Sequence, residues 1–363
     1  MGSLVPTAFA RASQAASYTA LALQVACDAV NQDSTRESAR ARMRASIKRI
    51  GRFLAGSRGF IRMYNGTELK LVVLPEYFLT GFPMGESLSE WRAKAAIDPD
   101  GPEHDALAEL AQRESVYLAG NAYETDPAFP ELYFQISFII APNGDVVHRY
   151  RRLISITTPT PYDVWDKFLD VYGKDALFPV TETELGNLAT IASEEILYPE
   201  IARCLAMGGA EIFCHSTSEV GSPALTKKDI AKRARAIENT AYVISANTGG
   251  IIGTAIPDQS ADAMSKVIDP NGHVLSTAGS GDSMIAHSEI RLESLRAMRR
   301  RTGMSNQLSR QPFQLYADAY RDHVHHEPNG FLKDGKVVPP TRKAIIDRQR
   351  QVIKRLLDEG VLR

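Results

Sequence analysis

Two hydrophobic periodicities alternate along this chain, and they predict a fold of strands and helices. Short apolar runs bounded by turn residues predict strands at Glu68–Leu74, Asn187–Ala192 and Ala241–Ala246. Apolar residues spaced three and four positions apart predict helices over about Ser34–Leu54 and over Lys227–Asn239. Strands that alternate with helices, with hairpins between some of them, are typical of an α/β fold. We therefore predict a layered α/β sandwich built from mixed sheets.

The periodic pattern does not extend over the whole chain. Residues 1–15 are predicted to be a loose leader, and residues 16–300 a single α/β domain. Residues 301–363 form a polar arm that ends in a helix, for which Thr341 is the predicted cap. We expect this arm to contact a neighbouring surface, on the same chain or on another subunit. The terminal helix has one apolar stripe, formed by Ile345, Ile346, Val352, Ile353, Leu356 and Leu357.

Composition and charge limit the classes of partner. The chain has 363 residues and a net charge of -1 without a basic block, so a nucleic-acid partner is not expected. No apolar run approaches the roughly 20 residues that span a bilayer, so no membrane partner is expected. Cys27, Cys204 and Cys214 are too few and too scattered for a disulfide framework, and they suit a reducing compartment. We therefore expect a cytoplasmic protein.

One segment of the arm contains residue types that bind metals. Asp322, His323, His325 and His326 lie close together in the sequence, and imidazole nitrogen is a common metal ligand. The segment lies in the polar arm beyond the domain, where a solvated loop is the simpler interpretation. We expect no metal and no other cofactor.

Three segments place chemically active side chains just after predicted strands. Glu76 follows the predicted strand Glu68–Leu74, and Arg152 follows a further predicted strand, Val146–Arg151. Ser193 follows the predicted strand Asn187–Ala192 and lies six residues before Pro199, which opens a helix. The segments read Leu74-Pro75-Glu76-Tyr77-Phe78, His148-Arg149-Tyr150-Arg151-Arg152-Leu153 and Ile191-Ala192-Ser193-Glu194-Glu195-Ile196-Leu197-Tyr198-Pro199.

These three segments closely resemble the active-site motifs of the nitrilase (carbon–nitrogen hydrolase) superfamily. Further motifs in the same register are Arg233–Asn239, Asn247 and Asp269–Gly272, so the resemblance covers roughly residues 18–300. It implies an α-β-β-α sandwich and a homodimer or larger homo-oligomer. It also implies that Glu195, with other polar residues of its segment, forms ion pairs that hold the helix after the nucleophile.

The resemblance implies a role for each of the three strand-end residues. In the family a glutamate is the general base, a lysine stabilises the oxyanion and a cysteine is the nucleophile. Here Glu76 is retained, Arg152 stands at the lysine and Ser193 stands at the cysteine. A serine hydroxyl is a much weaker acid than a thiol and needs a well-placed base, usually histidine. No histidine lies near Ser193 in the sequence, although one could approach it in space.

Several residues are expected to line the same pocket as a substrate-binding surface. Glu194, directly after the nucleophile position, would repel acidic ligands and could pair with Arg152 or with a cationic ligand. The family also uses a second glutamate, for which Asp163 is the nearest acid in this chain. By their positions after strands or beside the motifs, the other expected lining residues are Tyr77, Asn121, Ser216 and Thr217.

Three functional hypotheses fit this pattern. In the first, the protein hydrolyses a C–N bond in a small amide, nitrile or carbamoyl compound through Glu76, Arg152 and Ser193. In the second, it is a catalytically silent relative that binds a small polar ligand as a structural or regulatory subunit. In the third, Glu76 shuttles a proton while Arg152 holds a carboxylate, without hydrolysis.

Overall fold

Two six-stranded sheets form the centre of the computed structural model, which describes residues 17–219, 226–261, 263–321, 323 and 326–363. The predicted leader 1–15 lies outside the described residues, as do Asp322 and His325 of the histidine-rich segment. The strands, numbered along the chain, are β1 (Tyr18–Ala22), β2 (Cys27–Asp28), β3 (Leu69–Val73), β4 (Tyr117–Thr125), β5 (Tyr133–Ile140), β6 (Val146–Arg151), β7 (Thr181–Thr183), β8 (Gly186–Ala192), β9 (Ile212–Thr217), β10 (Tyr242–Asn247), β11 (Ile251–Ile252), β12 (Lys266–Ile268), β13 (Val274–Thr277), β14 (His287–Ile290), β15 (Leu332–Lys333) and β16 (Lys336–Val337). The helices are α1 (Arg36–Asn65), α2 (Leu88–Ala95), α3 (Pro102–Glu114), α4 (Trp165–Tyr172), α5 (Pro199–Met207), α6 (Lys227–Asn239), α7 (Leu292–Arg300), α8 (Phe313–Arg321) and α9 (Arg342–Asp358).

Both sheets combine parallel and antiparallel neighbours. The first sheet has the strand order β14-β1-β3-β4-β5-β6, and the second has the order β13-β12-β10-β9-β8-β7. The strands β1, β3 and β4 are parallel in the first sheet, as are β8, β9 and β10 in the second. The other strands of these two sheets pair antiparallel with their neighbours. The prediction of mixed sheets is therefore confirmed.

The two sheets pack face to face, and helices cover their outer faces. Leu71 and Val73 of the first sheet share one buried apolar cluster with Cys214 and Ile244 of the second. A second cluster joins α1 and α3 to the first sheet, and a third joins α5 and α6 to the second sheet. Apolar side chains on both faces of each sheet are thus buried away from water. Burial of apolar surface is the main favourable term in folding. The resulting helix–sheet–sheet–helix order confirms the α-β-β-α sandwich.

Helix α1 is longer than its sequence pattern predicts. Thr35, not Ser34, caps its start, and Ser38 completes a reciprocal capping box with Thr35. The helix continues past Leu54 because its apolar face extends to the buried Ile61, and it ends at Asn65, followed by a capping glycine with φ of 66°. Even this 30-residue helix is rich in arginine, and no helix in the described part of the chain has the length and apolar character required to cross a bilayer.

The segment after β6 is more ordered than the loop that its composition predicts. Residues 157–173 contain a short 3-10 helix at Pro161–Val164 and then α4. Val164 and Phe168, four residues apart, are both fully buried, so one side of the segment packs on the domain. The high content of threonine and proline concealed this helical spacing.

Part of the C-terminal arm packs on its own chain. Phe331 is 2% exposed, and its backbone N–H donates to the Asp163 carbonyl at 2.9 Å. Arg348 of α9 forms a 2.8 Å ion pair with the Asp163 carboxylate. Thr341 caps α9 by accepting from the Ala344 N–H, as predicted. Of the two expected surfaces for the arm, the structure shows contact with the same chain, and contact with another subunit stays a prediction.

Candidate active site

Strands of both sheets end at the same edge of the sandwich. Glu76 follows β3 of the first sheet, while Ser193 and Thr217 lie at the ends of β8 and β9 of the second. The Ser216 hydroxyl donates to the Leu74 carbonyl at 2.7 Å, and the Glu76 N–H donates to the Thr217 carbonyl at 3.3 Å. These bonds join the two sheets at the place where their chemically active residues lie.

Glu76, Gln135 and Arg152 form a buried polar network. The Glu76 residue is 1% exposed, and its Oε1 accepts from Gln135 Nε2 at 2.7 Å and from Arg152 Nη1 at 3.3 Å. Gln135 Oε1 in turn accepts from Arg152 Nη1 at 2.5 Å. Within the described residues, the buried Oε2 of Glu76 has no hydrogen-bond partner. A buried carboxylate oxygen without a donor is costly, and it leaves a lone pair for a bound molecule or water.

Arg152 is held on several sides. Its Nε donates to the Ile154 carbonyl at 2.7 Å, and its Nη2 contacts the Glu194 carboxylate, as the sequence predicted. Burial acts to lower the pKa of Arg152, but the carboxylates of Glu76 and Glu194 outweigh burial and hold that pKa above its usual value. The guanidinium is therefore a permanent cation at this edge, and it cannot donate a proton outright.

Ser193 directly follows β8 and begins the 3-10 helix Ser193–Leu197, and the backbone of this turn is strained. Its φ is 47°, in the left-handed region, which costs about 1–2 kcal/mol for a residue with a side chain. The residue is 4% exposed. Backbone strain of this size persists only where surrounding contacts enforce it, and such residues cluster at functional sites.

A histidine does approach Ser193, but it contacts the backbone. His215 Nε2 lies 2.8 Å from the Ser193 carbonyl oxygen, and His215 Nδ1 lies 2.9 Å from Ser245 Oγ. Burial, reinforced by the charge of Lys232, lowers the pKa of His215 well below its usual value. The neutral imidazole therefore donates from Nε2 to the carbonyl and accepts from Ser245. It stabilises the turn and is not in contact with the serine hydroxyl.

Lys228, at the start of α6, is the side chain that contacts the Ser193 hydroxyl. Its Nζ lies 3.1 Å from Ser193 Oγ, 3.1 Å from Thr217 Oγ1 and 3.5 Å from the Ser218 carbonyl oxygen. Burial lowers the pKa of Lys228 from its usual value. This contact adds an ionisable group to the three residues that the sequence singled out.

The sequence contained one weak signal for Lys228. Lys227 and Lys228 both lie in the first turn of α6, where the positive end of the helix dipole disfavours cations. A cation retained at such a position suggests a use beyond helix stability. The signal was missed because two adjacent lysines also fit an exposed helix start.

Glu195 braces the nucleophile turn, but not through the predicted ion pairs. Its Oε1 accepts from the backbone N–H groups of Leu153 and Ile154 at 2.7 and 3.0 Å, and its Oε2 accepts from the Tyr150 hydroxyl at 2.8 Å. Burial raises the pKa of Glu195 to about 7, although Arg152 and the hydrogen bonds oppose the rise. The carboxyl thus links the end of β6 to the turn that carries Ser193.

Most of the expected lining residues adjoin this cluster. Asn121 Oδ1 accepts from Gln135 Nε2 at 2.9 Å, and Thr217 accepts from Lys228, as described above. Tyr77 has a φ of 63° and stacks on Tyr123 with ring centroids 6.2 Å apart. Burial raises the pKa of Tyr77, and the nearby Glu76 charge reinforces the rise. The Ser216 hydroxyl is used between the sheets, where it supports the pocket wall.

Asp163 is not brought into the cluster. Its Oδ2 accepts from the N–H and hydroxyl of Thr160 at 2.9 Å, and its Oδ1 pairs with Arg348. Both oxygens therefore serve the 3-10 helix before α4 and the arm. The suggestion that Asp163 replaces the family's second glutamate is not supported by these contacts.

A separate cavity of about 460 Å³ lies at the opposite ends of the same strands. Two of its charged lining residues pair with each other, because Arg296 Nε donates to Glu211 Oε1 at 2.7 Å and Arg296 Nη2 to Glu211 Oε2 at 2.9 Å. Within the described residues, no three His, Cys, Asp or Glu side chains are grouped so that they could hold a metal ion. The strand-end cluster around Ser193 therefore remains the candidate site.

Comparison with known proteins agrees with the fold. The carbon-nitrogen hydrolase family model matches residues 24–300. A protein named as a probable nitrilase in Schizosaccharomyces pombe is 25% identical over 213 residues, which are 59% of this chain and 72% of that protein. A bifunctional nitrilase/nitrile hydratase of Lupinus angustifolius is 30% identical over 197 residues, which are 49% of this chain and 51% of the plant protein. The chain thus spans about half the length of that relative.

Structural comparison supports the same assignment at the level of the fold. The crystal structure of a carbon-nitrogen hydrolase from Helicobacter pylori superposes with a TM-score of 0.60 and 21% identity, and the match covers 85% of this chain and 100% of the other. The family model covers most of the chain, and the sandwich matches throughout the bacterial enzyme. The chain therefore belongs to the carbon-nitrogen hydrolase family of the nitrilase superfamily.

Proposed function

We propose that this protein hydrolyses a C–N bond in a small amide, nitrile or carbamoyl compound, with Ser193 as the nucleophile. The observation that carries the proposal is the direct contact between the Ser193 hydroxyl, which lies on a strained turn, and the amino group of Lys228. If Ser193 only filled the volume of the family's cysteine, it would need neither a strained backbone nor an ionisable side chain in contact with its hydroxyl. The family membership supports the reaction class.

Each strand-end residue has a role in this proposal. Ser193 attacks the carbon of the C–N bond and forms an acyl intermediate. Glu76 supplies a carboxylate base through Oε2, the oxygen without a partner in the described structure. Arg152 and the backbone N–H of Glu194 stabilise the anion that develops on the substrate.

The pocket also limits the substrate. Ser193 is 4% exposed, so the reacting group must be small or must lie at the end of a narrow ligand. The Glu194 carboxylate, which contacts Arg152 at this site, repels acidic compounds. Neutral amides, nitriles and carbamoyl compounds satisfy both conditions.

One observation favours the silent alternative. The described contacts engage all three nitrogens of the Arg152 guanidinium, with Ile154, Gln135, Glu76 and Glu194 as acceptors. An oxyanion must therefore share Arg152 with these groups. The third hypothesis faces a stronger conflict, because a substrate carboxylate must displace Glu194 or Glu76 from the same guanidinium.

Intact-mass measurement separates hydrolysis from silent binding. We expect a covalent acyl adduct after incubation with a panel of amides, nitriles and activated esters, and peptide mapping should place it on Ser193. Turnover should accompany the adduct for at least one compound. Thermal stabilisation by a panel compound, without adduct or turnover, would instead support the silent binding protein.

We also propose that the protein forms a homodimer or larger homo-oligomer through α5 and α6. Exposed apolar side chains lie on this outer layer, including Met207, Ile230 and Ile237, which are 55%, 57% and 41% exposed. Light scattering after size exclusion should give at least twice the monomer mass, and Ile230→Asp should reduce it. The matched control is Ile252→Asp in β11, which should leave the mass unchanged. A monomeric wild-type protein contradicts the proposal.

A further inference from the structure

We propose that Lys228 is the base that takes the proton from Ser193, so that the two residues act as a serine–lysine pair. The inference rests on the proposed hydrolysis and reassigns one step within it. Among the described residues, the hydrogen-bond contact of Ser193 Oγ is with Lys228 Nζ at 3.1 Å. Serine–lysine pairs provide nucleophiles on other folds, so the chemistry is feasible without histidine.

The surroundings of Lys228 match the hydrogen-bonding capacity of a neutral amine. A neutral lysine has two N–H donors and one lone pair, whereas its cation has three donors. Thr217 Oγ1 and the Ser218 carbonyl oxygen can accept the two N–H groups. The lone pair can then accept from the Ser193 hydroxyl. The same three contacts also satisfy the cation, so the site accommodates both protonation states between which a base must alternate.

Charged groups on every side of Lys228 set its proton affinity. Burial lowers its pKa, and the positive charges of Lys232 and Arg152 add to the effect. Glu76 and Glu219 oppose the shift. His215, on the adjacent strand, is neutral because its own pKa is lowered by burial and by these lysines. The balance favours an amine that loses its proton more readily than an exposed lysine.

A buried chain of alternating charges holds the helix that carries Lys228. Lys232 contacts Glu219 and, at 3.6 Å, Asp229. Lys266 of β12 pairs with the same Asp229 at 2.6 Å. The Thr226 side chain caps α6 by accepting from the Asp229 N–H at 3.0 Å. These contacts are positioning contacts, since they fix the helix start from which Lys228 reaches the serine.

Glu76 is less suited to this first proton transfer. Its Oε1 is engaged by Gln135 and Arg152, and within the described part of the chain it makes no hydrogen bond to Ser193. Its free Oε2 is better placed in the proposal to act on the water of the second step. The two bases then have separate tasks.

The reaction balances with these groups alone. Neutral Lys228 removes the Ser193 proton as Oγ bonds to the amide carbon, and the π electrons move to the oxygen. The intermediate collapses, the C–N bond breaks, and the Lys228 ammonium protonates the leaving amine. Glu76 Oε2 then takes a proton from water as the water oxygen bonds to the acyl carbon, and the π electrons move to the carbonyl oxygen. This intermediate collapses, the ester C–O bond breaks, the proton held by Glu76 returns to Ser193 Oγ, and the carboxylic acid is released.

The test uses p-nitrophenyl acetate as a probe and follows both nitrophenolate release and the acetyl adduct on Ser193. Lys228→Met should lower the acylation rate by about 10²–10⁴-fold, the usual contribution of a general base. Lys228→Arg should be equally slow, because arginine keeps the charge but does not deprotonate. Lys227→Met, the matched control on the exposed neighbouring lysine, should acylate like the wild type.

The pH profile separates a base from a structural lysine. The wild-type acylation rate should rise with pH and level off at a midpoint below about 10.4, the ordinary lysine pKa. Lys228→Cys alkylated with bromoethylamine restores an amine of lower pKa, and its midpoint should move to lower pH. Wild type treated in the same way controls for alkylation of the exposed Cys204.

The outcomes distinguish the two proposals. If wild type is acetylated on Ser193 but Lys228→Met or Lys228→Arg retains its rate and profile, the assignment of Lys228 is wrong and the hydrolase proposal stands. If wild type is not acetylated on Ser193 at any pH, both proposals fail. Circular dichroism identifies a misfolded variant. If Lys228→Met or Lys228→Arg is misfolded, the alkylated Lys228→Cys protein is the deciding test. A midpoint of its pH profile equal to that of the wild type overturns the assignment of Lys228.

Discussion

Ser193→Ala is expected to abolish acylation and to lower hydrolysis by about 10⁴-fold or more, because loss of a nucleophile removes the covalent route entirely. The measurement is the initial rate with whichever panel compound the wild type turns over, together with the intact mass. Ser294→Ala, at an exposed serine of α7, is the matched control and should retain full activity. A Ser193→Ala protein with more than a tenth of the wild-type rate would show that the chemistry lies elsewhere.

The same position offers a test in the opposite direction. Ser193→Cys should retain acylation and increase it at neutral pH, since a thiol ionises far more readily than a hydroxyl. Lys228 would then stabilise a thiolate at the same distance at which it now contacts the hydroxyl. An inactive Ser193→Cys protein, with wild type active, would mean that the pocket is built around the smaller oxygen atom.

Glu195→Ala is expected to lower the free energy of unfolding by about 3–5 kcal/mol, the second large effect. The substitution strands the buried N–H groups of Leu153 and Ile154 and removes the acceptor of the Tyr150 hydroxyl. Urea unfolding measures the change. Glu200→Ala, an exposed acid at the start of α5, should change the free energy of unfolding by less than about 0.5 kcal/mol. Equal effects of the two substitutions would contradict the bracing role.

Glu195 also predicts a pH dependence of stability. Its pKa rises from 4.5 in the unfolded chain to about 7 in the folded protein, chiefly because of burial. Between these values the folded state binds more protons, so this group's contribution to the free energy of unfolding falls as pH increases. The loss should reach about 3 kcal/mol by the upper end of that window.

Comparison with Glu195→Gln isolates this contribution, because glutamine does not titrate. We expect the difference in free energy of unfolding between wild type and Glu195→Gln to shift steadily against wild type between pH 4.5 and about 7. Other titrating groups are common to both proteins and cancel. Parallel stability curves over that range would show that the folded-state pKa is not raised.

The sequence alone located some residues of the site correctly and misplaced others. Glu76 and Ser193 follow strands that buried apolar runs make evident, and the ends of neighbouring strands meet at one edge. The pairing of Glu194 with Arg152 also follows from opposite charges on adjoining segments. Asp163 was chosen for its position in the chain alone, and its contacts with Thr160 and the arm could not be read from local pattern.

Element boundaries show the same limit. Helix α1 was predicted to end near Leu54, whereas burial of Ile61 against the domain extends it. The composition of the segment around α4 indicates a loop, because its threonines and prolines obscure the four-residue spacing of Val164 and Phe168. In both cases tertiary packing overrode local propensity.

The sequence by itself determined the alternation of the main strands and helices, the mixed sandwich, and the strand ends that carry Glu76, Arg152 and Ser193. Periodicity encodes which side of each element is buried, and this information is local. Only the tertiary structure decided that Lys228, from a helix 35 positions along the chain, contacts the serine hydroxyl, while His215 contacts the serine backbone. Such contacts depend on how α6 packs on its sheet, and no local pattern encodes the direction in which one long side chain extends across that interface.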